Sequence, residues 1–403
     1  MKIAAKISTR GILSIGIAMA LAPIAQAADW YEALSDIKAS ADFYLRYEGA
    51  SQDNALSDAN ALTLRTFAGI ESGEYNGFSF KVEMEDSRIV LGQGDYTVGP
   101  TGYNVGEYSV IADPETTELD QAYIQYRSDN IKVKAGRQVI ALDTHRFIGS
   151  VAWRQDRQTF DGISVNYKVS DNIHAFYAYV NQRNRIFAEA ADFDSKDHFL
   201  NVSYSNNIGK LTAYAYLLEI DNDTDNALDT YGIRYAGSYS TDSAKWLYTA
   251  EVAKQSSENA TNDFDASYLL LEAGAVVSGV TAKLGYEVLG SDDGNYGFAT
   301  PLATLHKFNG WSDQFLGTPA QGLKDMSATI SAKFAGGKWT AIYHQFDADE
   351  ASLAIDDLGS EINLLYTTKV AERFNLGVKY ANYSADDFKV DTDRVWVWVS
   401  TKF

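Results

Sequence analysis

Apolar and polar residues alternate along most of this chain. Phe78, Phe80, Val82 and Met84 interleave with Ser79, Lys81, Glu83 and Glu85. Leu62, Leu64, Ala68 and Ile70 keep one phase around Arg65. A period of two is the signature of a strand with two unlike faces. About eighteen such segments occur, from 37–48 to 393–403, and a count of sixteen also satisfies the spacing. Each is roughly 9–11 residues long, enough to cross a bilayer at a tilt. In the last one Val395, Val397 and Val399 alternate with Trp396, Trp398 and Ser400, and the chain stops on Phe403 in phase with the valines. A soluble protein would rarely end on so open an aromatic edge. Closing the sheet removes the edge.

The links sort by parity. Ser128-Asp129, Ser170-Asp171, Asn206-Asn207, Ser278 and Gly336 are short. Segments 88–117, 139–159, 183–196, 255–264 and 290–323 are long. Tight periplasmic turns and long extracellular loops alternate in this way in outer-membrane barrels. The expected fold is therefore an all-β, transmembrane antiparallel β-barrel in the outer membrane of a Gram-negative bacterium, surrounded by lipid and lipopolysaccharide. Both termini are expected in the periplasm, and the terminal strand ending in Phe403 is the kind that barrel-assembly machinery reads.

Phase then assigns faces. With Phe43 and Leu45 outward, Tyr44 and Arg46 point inward, and Arg65 does likewise. Lys132 and Lys134 alternate with outward Ile131, Val133 and Ala135. Arg234 lies between Ile233 and Tyr235, and Lys283 precedes Leu284. Segment 172–182 reads in either register, and a one-residue slip would invert it.

Composition narrows the class. Lys2, Lys6 and Arg10 precede an apolar run to Ile24 and an Ala25-Gln26-Ala27 site. That is the form of a cleaved signal peptide over 1–27, leaving one barrel domain over 28–403. No cysteine occurs, so thiol chemistry is excluded. The 26 Tyr, 19 Phe and 7 Trp suit interfacial girdles, and 5 prolines suit a chain that is mostly ladder. The net charge of −20 argues against nucleic acid as a partner. No cofactor is implied.

Two segments break the alternation. The first, 136–162, carries Arg137, Arg146, Arg154 and Arg157 with Trp153 and Phe160 among them. A loop of this length outside the third hairpin commonly folds into the pore. Guanidinium forks pair with carboxylates at any relevant pH, and aromatic faces suit sugar rings. Together they suit an anionic saccharide. The plainer reading is that each arginine pairs with a wall acid and holds the loop. The second segment, 300–323, contains Leu305-His-Lys-Phe-Asn-Gly-Trp311. The five histidines show no zinc spacing, and His344 with nearby Asp347 and Asp349 is a weak catalytic candidate. Asp221-x-Asp-x-Asp225 starts like a calcium loop, but Asn226 and Gly232 occupy the Gly and Glu places. The chain therefore does not read as an enzyme.

Gly136-Arg-Gln138, the Arg-Gln-x-Phe-Asp-Gly of 157–162 and the 300–323 segment resemble recurrent motifs of the alginate export family. The resemblance implies an eighteen-stranded monomeric barrel that passes an anionic uronate polysaccharide through an Arg/Lys-lined constriction. It makes Arg137, Arg157 and Lys307 candidate selectivity or loop-anchoring residues. The residues alone leave three alternatives: a general diffusion porin, a barrel enzyme, or a closed structural barrel.

Overall fold

An extended strand leaves backbone N–H and C=O groups along both edges, and inside lipid each must find a partner, so strands that cross a membrane close on themselves. The computed structural model describes residues 33–99 and 103–403, and the expected leader over 1–27 lies outside the described residues. The strands are β1 Lys38–Gln52, β2 Ala59–Glu71, β3 Phe78–Asp95, β4 Thr116–Arg127, β5 Ile131–Gln138, β6 Thr159–Lys168 and β7 Ile173–Asn184. They continue as β8 Phe193–Ser205, β9 Gly209–Leu218, β10 Asn226–Ser240, β11 Lys245–Asn259, β12 Asn262–Val277 and β13 Val280–Leu289. The two-residue strands β14 Ser291–Asp292 and β15 Tyr296–Gly297 form a separate ladder within a loop. The rest are β16 Leu323–Phe334, β17 Gly337–Asp347, β18 Asp357–Val370, β19 Phe374–Ser384 and β20 Thr392–Lys402.

Eighteen strands share one sheet, which decides between the two counts. Each pairs antiparallel with its sequence neighbours, and β20 returns to β1 with Arg46 opposite Trp398. Phe403 donates its N–H to Ala41 at 2.9 Å and packs edge-on against Phe43. The terminal aromatic thus sits in the closing seam.

Faces follow the alternation. Tyr44, Arg46 and Glu48 are buried, while Phe43 is exposed. Phe334 stacks on Trp339, which meets Tyr366 at a tilt, beside the short turn at 335–336, an aromatic girdle on the lipid side. The turn at Ser278-Gly279 takes positive φ at both residues, as a two-residue hairpin between twisted strands requires.

Two expectations are corrected. Segment 255–264 is not a long loop: β11 and β12 stay paired to Asn259 and Asn262, with 260–261 as the turn. Pairing beyond the membrane costs nothing in lost donors and extends the hairpin outward. The ambiguous segment 172–182 resolves with Phe176, Ala178 and Val180 inward and Tyr177 and Tyr179 outward. Both its faces are apolar because its inner face packs on protein rather than water. Phe160, Val180, Phe199, Tyr214 and Tyr216 of the wall form one buried cluster with Ile140, Phe147 and Ile148 of the third-hairpin loop. The core of the molecule lies inside the barrel.

Candidate functional site

β5 is the shortest strand of the barrel, 8 residues, and the chain leaves it after Gln138. Gly136 has φ +121, and a Cβ there would collide with the Ala122 carbonyl of β4, so only glycine allows the departure. The loop 139–158 then enters the lumen and meets the loop 290–322. Gly149 donates its N–H to Leu302 at 2.8 Å, and Thr304 donates to His145 at 3.0 Å. The Gln158 amide bonds both Gly149 and Leu302 carbonyls. Two loops far apart in sequence therefore form one body, with backbone groups satisfied as a dry interior demands.

Arginines tie that body to the wall. Arg154, 4% exposed, reaches Glu48 of β1 at 3.0 Å and Asp313 of the second loop at 2.6 Å. Arg46 pairs with Asp113 and the Trp153 carbonyl, and lies 3.3 Å from Glu48. Arg394 of β20 adds a third guanidinium to Glu48 at 3.1 Å. Arg65 donates to the carbonyls of Ala152 and Arg154 and stands over Tyr44 and Phe67. Arg146 holds Glu287 of β13 at 2.7 Å and Asn309 at 3.1 Å. Arg157 pairs with Asp120 and Glu83.

Beside Arg154 is an aromatic box. Trp153 stacks on His306 at 4.7 Å and meets Trp396 and Trp398 edge-on. Lys379 of β19 lies 3.9 Å from the Trp311 ring centre and 4.4 Å from that of Trp153. Its ammonium is 2.7 Å from His306 Nε2, while His306 Nδ1 is 2.7 Å from Asp313. These distances suit a neutral imidazole, with Nδ1–H donating to Asp313 and Nε2 accepting from Lys379. Burial pushes His306 down to about 3, Asp313 pulls it up, and neighbouring Lys379 lowers it further. Burial opposes ionisation of Asp313, yet His306 and Arg154 hold it well below the usual carboxylate range.

The other side of the body is open. Lys307 is exposed; its ammonium donates to the Thr144 carbonyl at 2.9 Å and forms no ion pair with the described residues. Burial of its stem, with Arg234 and Lys283 nearby, draws Lys307 below the usual lysine range against the opposing pull of Glu272. Arg234 pairs with Glu251 at 3.2 Å and Lys283 with Glu272 at 2.5 Å.

The sequence-derived candidates thus divide. Arg46, Arg65, Arg154 and Arg157 converge on 152–157, and Arg146 holds the opposite end of the same loop. Lys307, Arg234 and Lys283 gather on a second side. Lys132 and Lys134 stand apart toward the short turns, Lys134 over Tyr123 at 4.0 Å. Arg137 departs from expectation: it shares the outward phase of Ile131, Val133 and Ala135 and pairs with Asp161 of β6 at 2.8 Å. It is still paired in the ladder, opposite Ala122 of β4 and Asp161 of β6, so its phase two residues after Ala135 sets it on the outer face. His344 bonds Asp325 at 2.8 Å, not Asp347 or Asp349. Sequence reasoning missed Glu48, Lys379 and Trp396, although their phase with Leu45, Val378 and Val397 already placed all three inside.

Residues 36–290 match the sequence family described as Alginate export. No curated protein matches the sequence. Among solved structures, Acinetobacter baumannii OccAB4 superposes with a TM-score of 0.72 at 14% identity, covering 91% of this chain and 98% of that one. Pseudomonas aeruginosa OccK9 (OpdG) gives 0.71 at 14% identity, covering 92% and 100%. Pseudomonas aeruginosa OpdK, solved with vanillate, gives 0.70 at 14% identity, covering 91% and 98%. At such identity the likeness is one of fold.

Proposed function

The chain belongs to the alginate export family, and on that premise we propose that this Gram-negative outer-membrane porin passes an anionic saccharide, such as alginate or its oligomers, down its gradient. The observation that carries the reading is Lys307. It stands at the tip of an infolded loop, exposed, without an ion-pair partner among the described residues, with Arg234, Glu272 and Lys283 acting on it from the wall. A cation so placed gains most when a passing carboxylate supplies the missing charge. The neighbour OpdK was solved with vanillate, itself a carboxylate. Arg46, Arg65, Arg146 and Arg154 serve the same pore indirectly, by holding the loops that narrow it. Lys132, Lys134 and Arg157 add to the inner lining, and Arg137 braces the point where the loop departs. The barrel works as a monomer, and its terminal strand is what the assembly machinery reads.

One observation favours a second reading, a general diffusion porin. Around Trp153 the guanidiniums of Arg46, Arg154 and Arg394 are matched by wall or loop carboxylates, which leaves that side without a strong preference for anions. Reversal potential across a salt gradient in a planar bilayer, with titration of an oligouronate, separates the two. The saccharide channel is anion-selective and blocked by oligouronate but not by a neutral oligosaccharide, and Lys307→Gln weakens both properties. Indifference to every sugar leaves the general porin.

A further inference from the structure

The short-turn end of the barrel carries charge that the loops do not explain. Lys333 of β16 lies directly opposite Lys338 of β17, and Arg127 of β4 opposite Lys132 of β5. Like charges directly opposite one another destabilise a sheet, so such pairs need a reason. Both flank short turns, 335–336 and 128–130. Both pairs face inward: Phe334 and Trp339, the next residues in sequence, stack with each other on the lipid side. β5 and β16 are separated by half the circumference of the eighteen-stranded ring, so the pairs confront each other across the mouth.

A cavity of about 590 Å³ opens at the first pair, lined by Lys333, Lys338, Thr367, Lys369, Asn375 and Trp398. The three lysines are exposed and make no ion pair or side-chain hydrogen bond with the described residues. Trp398 lies flat on Gly377, where a Cβ would collide with the indole, and presents its ring to the cavity. Its edge meets Trp153 of the infolded loop, with ring centres 5.4 Å apart. A second cavity of about 280 Å³ at the opposite pair is lined by Arg127, Asp129, Lys132, Lys168 and His174, with Lys168 paired to Asp171 at 2.6 Å, so the cluster of three unpaired lysines lies at the first cavity.

We propose that the periplasmic mouth is a capture site for a carboxylated saccharide chain, whose carboxylates bridge Lys333, Lys338 and Lys369 while a sugar ring rests on Trp398. The proposal deepens the anionic-saccharide reading and rests on it. A multivalent anion removes the repulsion that the paired cations build into the wall, and the field of the three unpaired lysines concentrates such chains there. The Trp398–Trp153 contact places the captured chain next to the constriction.

The test uses the full chain in nanodiscs with an octauronate, measured by calorimetry at two salt concentrations. The triple variant Lys333→Gln, Lys338→Gln, Lys369→Gln is expected to bind at least tenfold more weakly, with a shallower salt dependence, and Trp398→Ala to weaken binding at both salts. Removing a repulsion leaves the triple variant at least as well folded, which its heat-modifiable migration checks. Equal octauronate affinity in triple variant and wild type overturns the mouth site. So does octauronate flux into liposomes that the triple variant matches, a result that leaves the channel reading intact. Lysine-dependent binding without any uronate flux supports the mouth site and defeats the cargo reading instead.

Discussion

Arg154 shows how little of the constriction is free to meet a solute. It joins Glu48 of the wall to Asp313 of the second loop, and all three side chains are buried. Truncating one partner of a buried ion pair strands the other charges, at a cost of about 3–5 kcal/mol. Arg154→Ala is therefore expected to destabilise the molecule by that order, read as a lower urea midpoint and faster proteolysis within 139–158. Arg137→Ala removes a partly exposed pair with Asp161 at the barrel rim and is expected to cost about 1 kcal/mol, less than Arg154→Ala. His306 makes a pH prediction. Its folded value of about 3 lies below that of an unfolded histidine, so the unfolded chain binds the extra proton. Stability from this site is complete above the unfolded value near 6.5 and falls as pH drops toward 3. His306→Phe keeps a ring against Trp153 but cannot titrate. Its unfolding free energy is expected to be less dependent on pH between 6.5 and 4 than that of the wild type, and equal slopes would refute the role. The arginine-rich loop was legible in the sequence as an infolding segment. Its acid partners were not, because Glu48 and Asp313 lie 106 and 159 residues from Arg154 and nothing local connects them.

Strands were the legible elements. Period two locates each of them, because a wall between lipid and lumen imposes unlike faces at every step. It faltered where that premise failed: at 172–182 the lumen side is protein core, so both faces read as apolar. It also misplaced the end of the ladder at 255–264, because strand pairing continues past the membrane where polar residues suit either face. Gly136 carried a positive-φ requirement that the neighbouring sequence did not advertise. The lipid face makes a sharp prediction. Leu284 of β13 is 68% exposed and points to lipid, and its neighbour Lys283 points inward. Leu284→Arg is expected to cost about 2–4 kcal/mol if it lies near the bilayer midplane. Lys283→Leu is expected to change ion selectivity with little effect on unfolding in lipid vesicles. Equal destabilisation by both would mean that the faces are assigned wrongly.

At the scale of the whole molecule, the barrel is a shell around a packed interior. Phe298, Leu302 and Phe315 of the second loop share a buried cluster with Phe199, Tyr268, Phe346 and Tyr383 of the wall. An eighteen-stranded tube without such filling holds a wide aqueous channel. Shortening 290–322 between the β14–β15 ladder and Leu323 is expected to raise single-channel conductance several-fold and to erase sugar-specific block. Unchanged conductance would place the narrowest point elsewhere. The acidic balance of the chain is shared between exposed outer-loop residues such as Asp221, Asp223 and Asp225 and buried carboxylates of the interior such as Glu48, Asp113 and Glu287, which meet arginines there.

The inward folding of 139–158 and 290–322 also decides what the surroundings of the cell can touch. These two loops, which in an open barrel would be among the most accessible, are withdrawn behind the rim. The surface offered outward is left to the exposed stretch around Val105 and Glu107 of the loop 96–115 and to short acidic segments such as 53–58, 219–225, 348–356 and 385–391. Bacteriophages and antibodies that seize this protein on living cells are expected to grip those segments. Escape substitutions should then accumulate there, while the transport machinery beneath stays out of the contest.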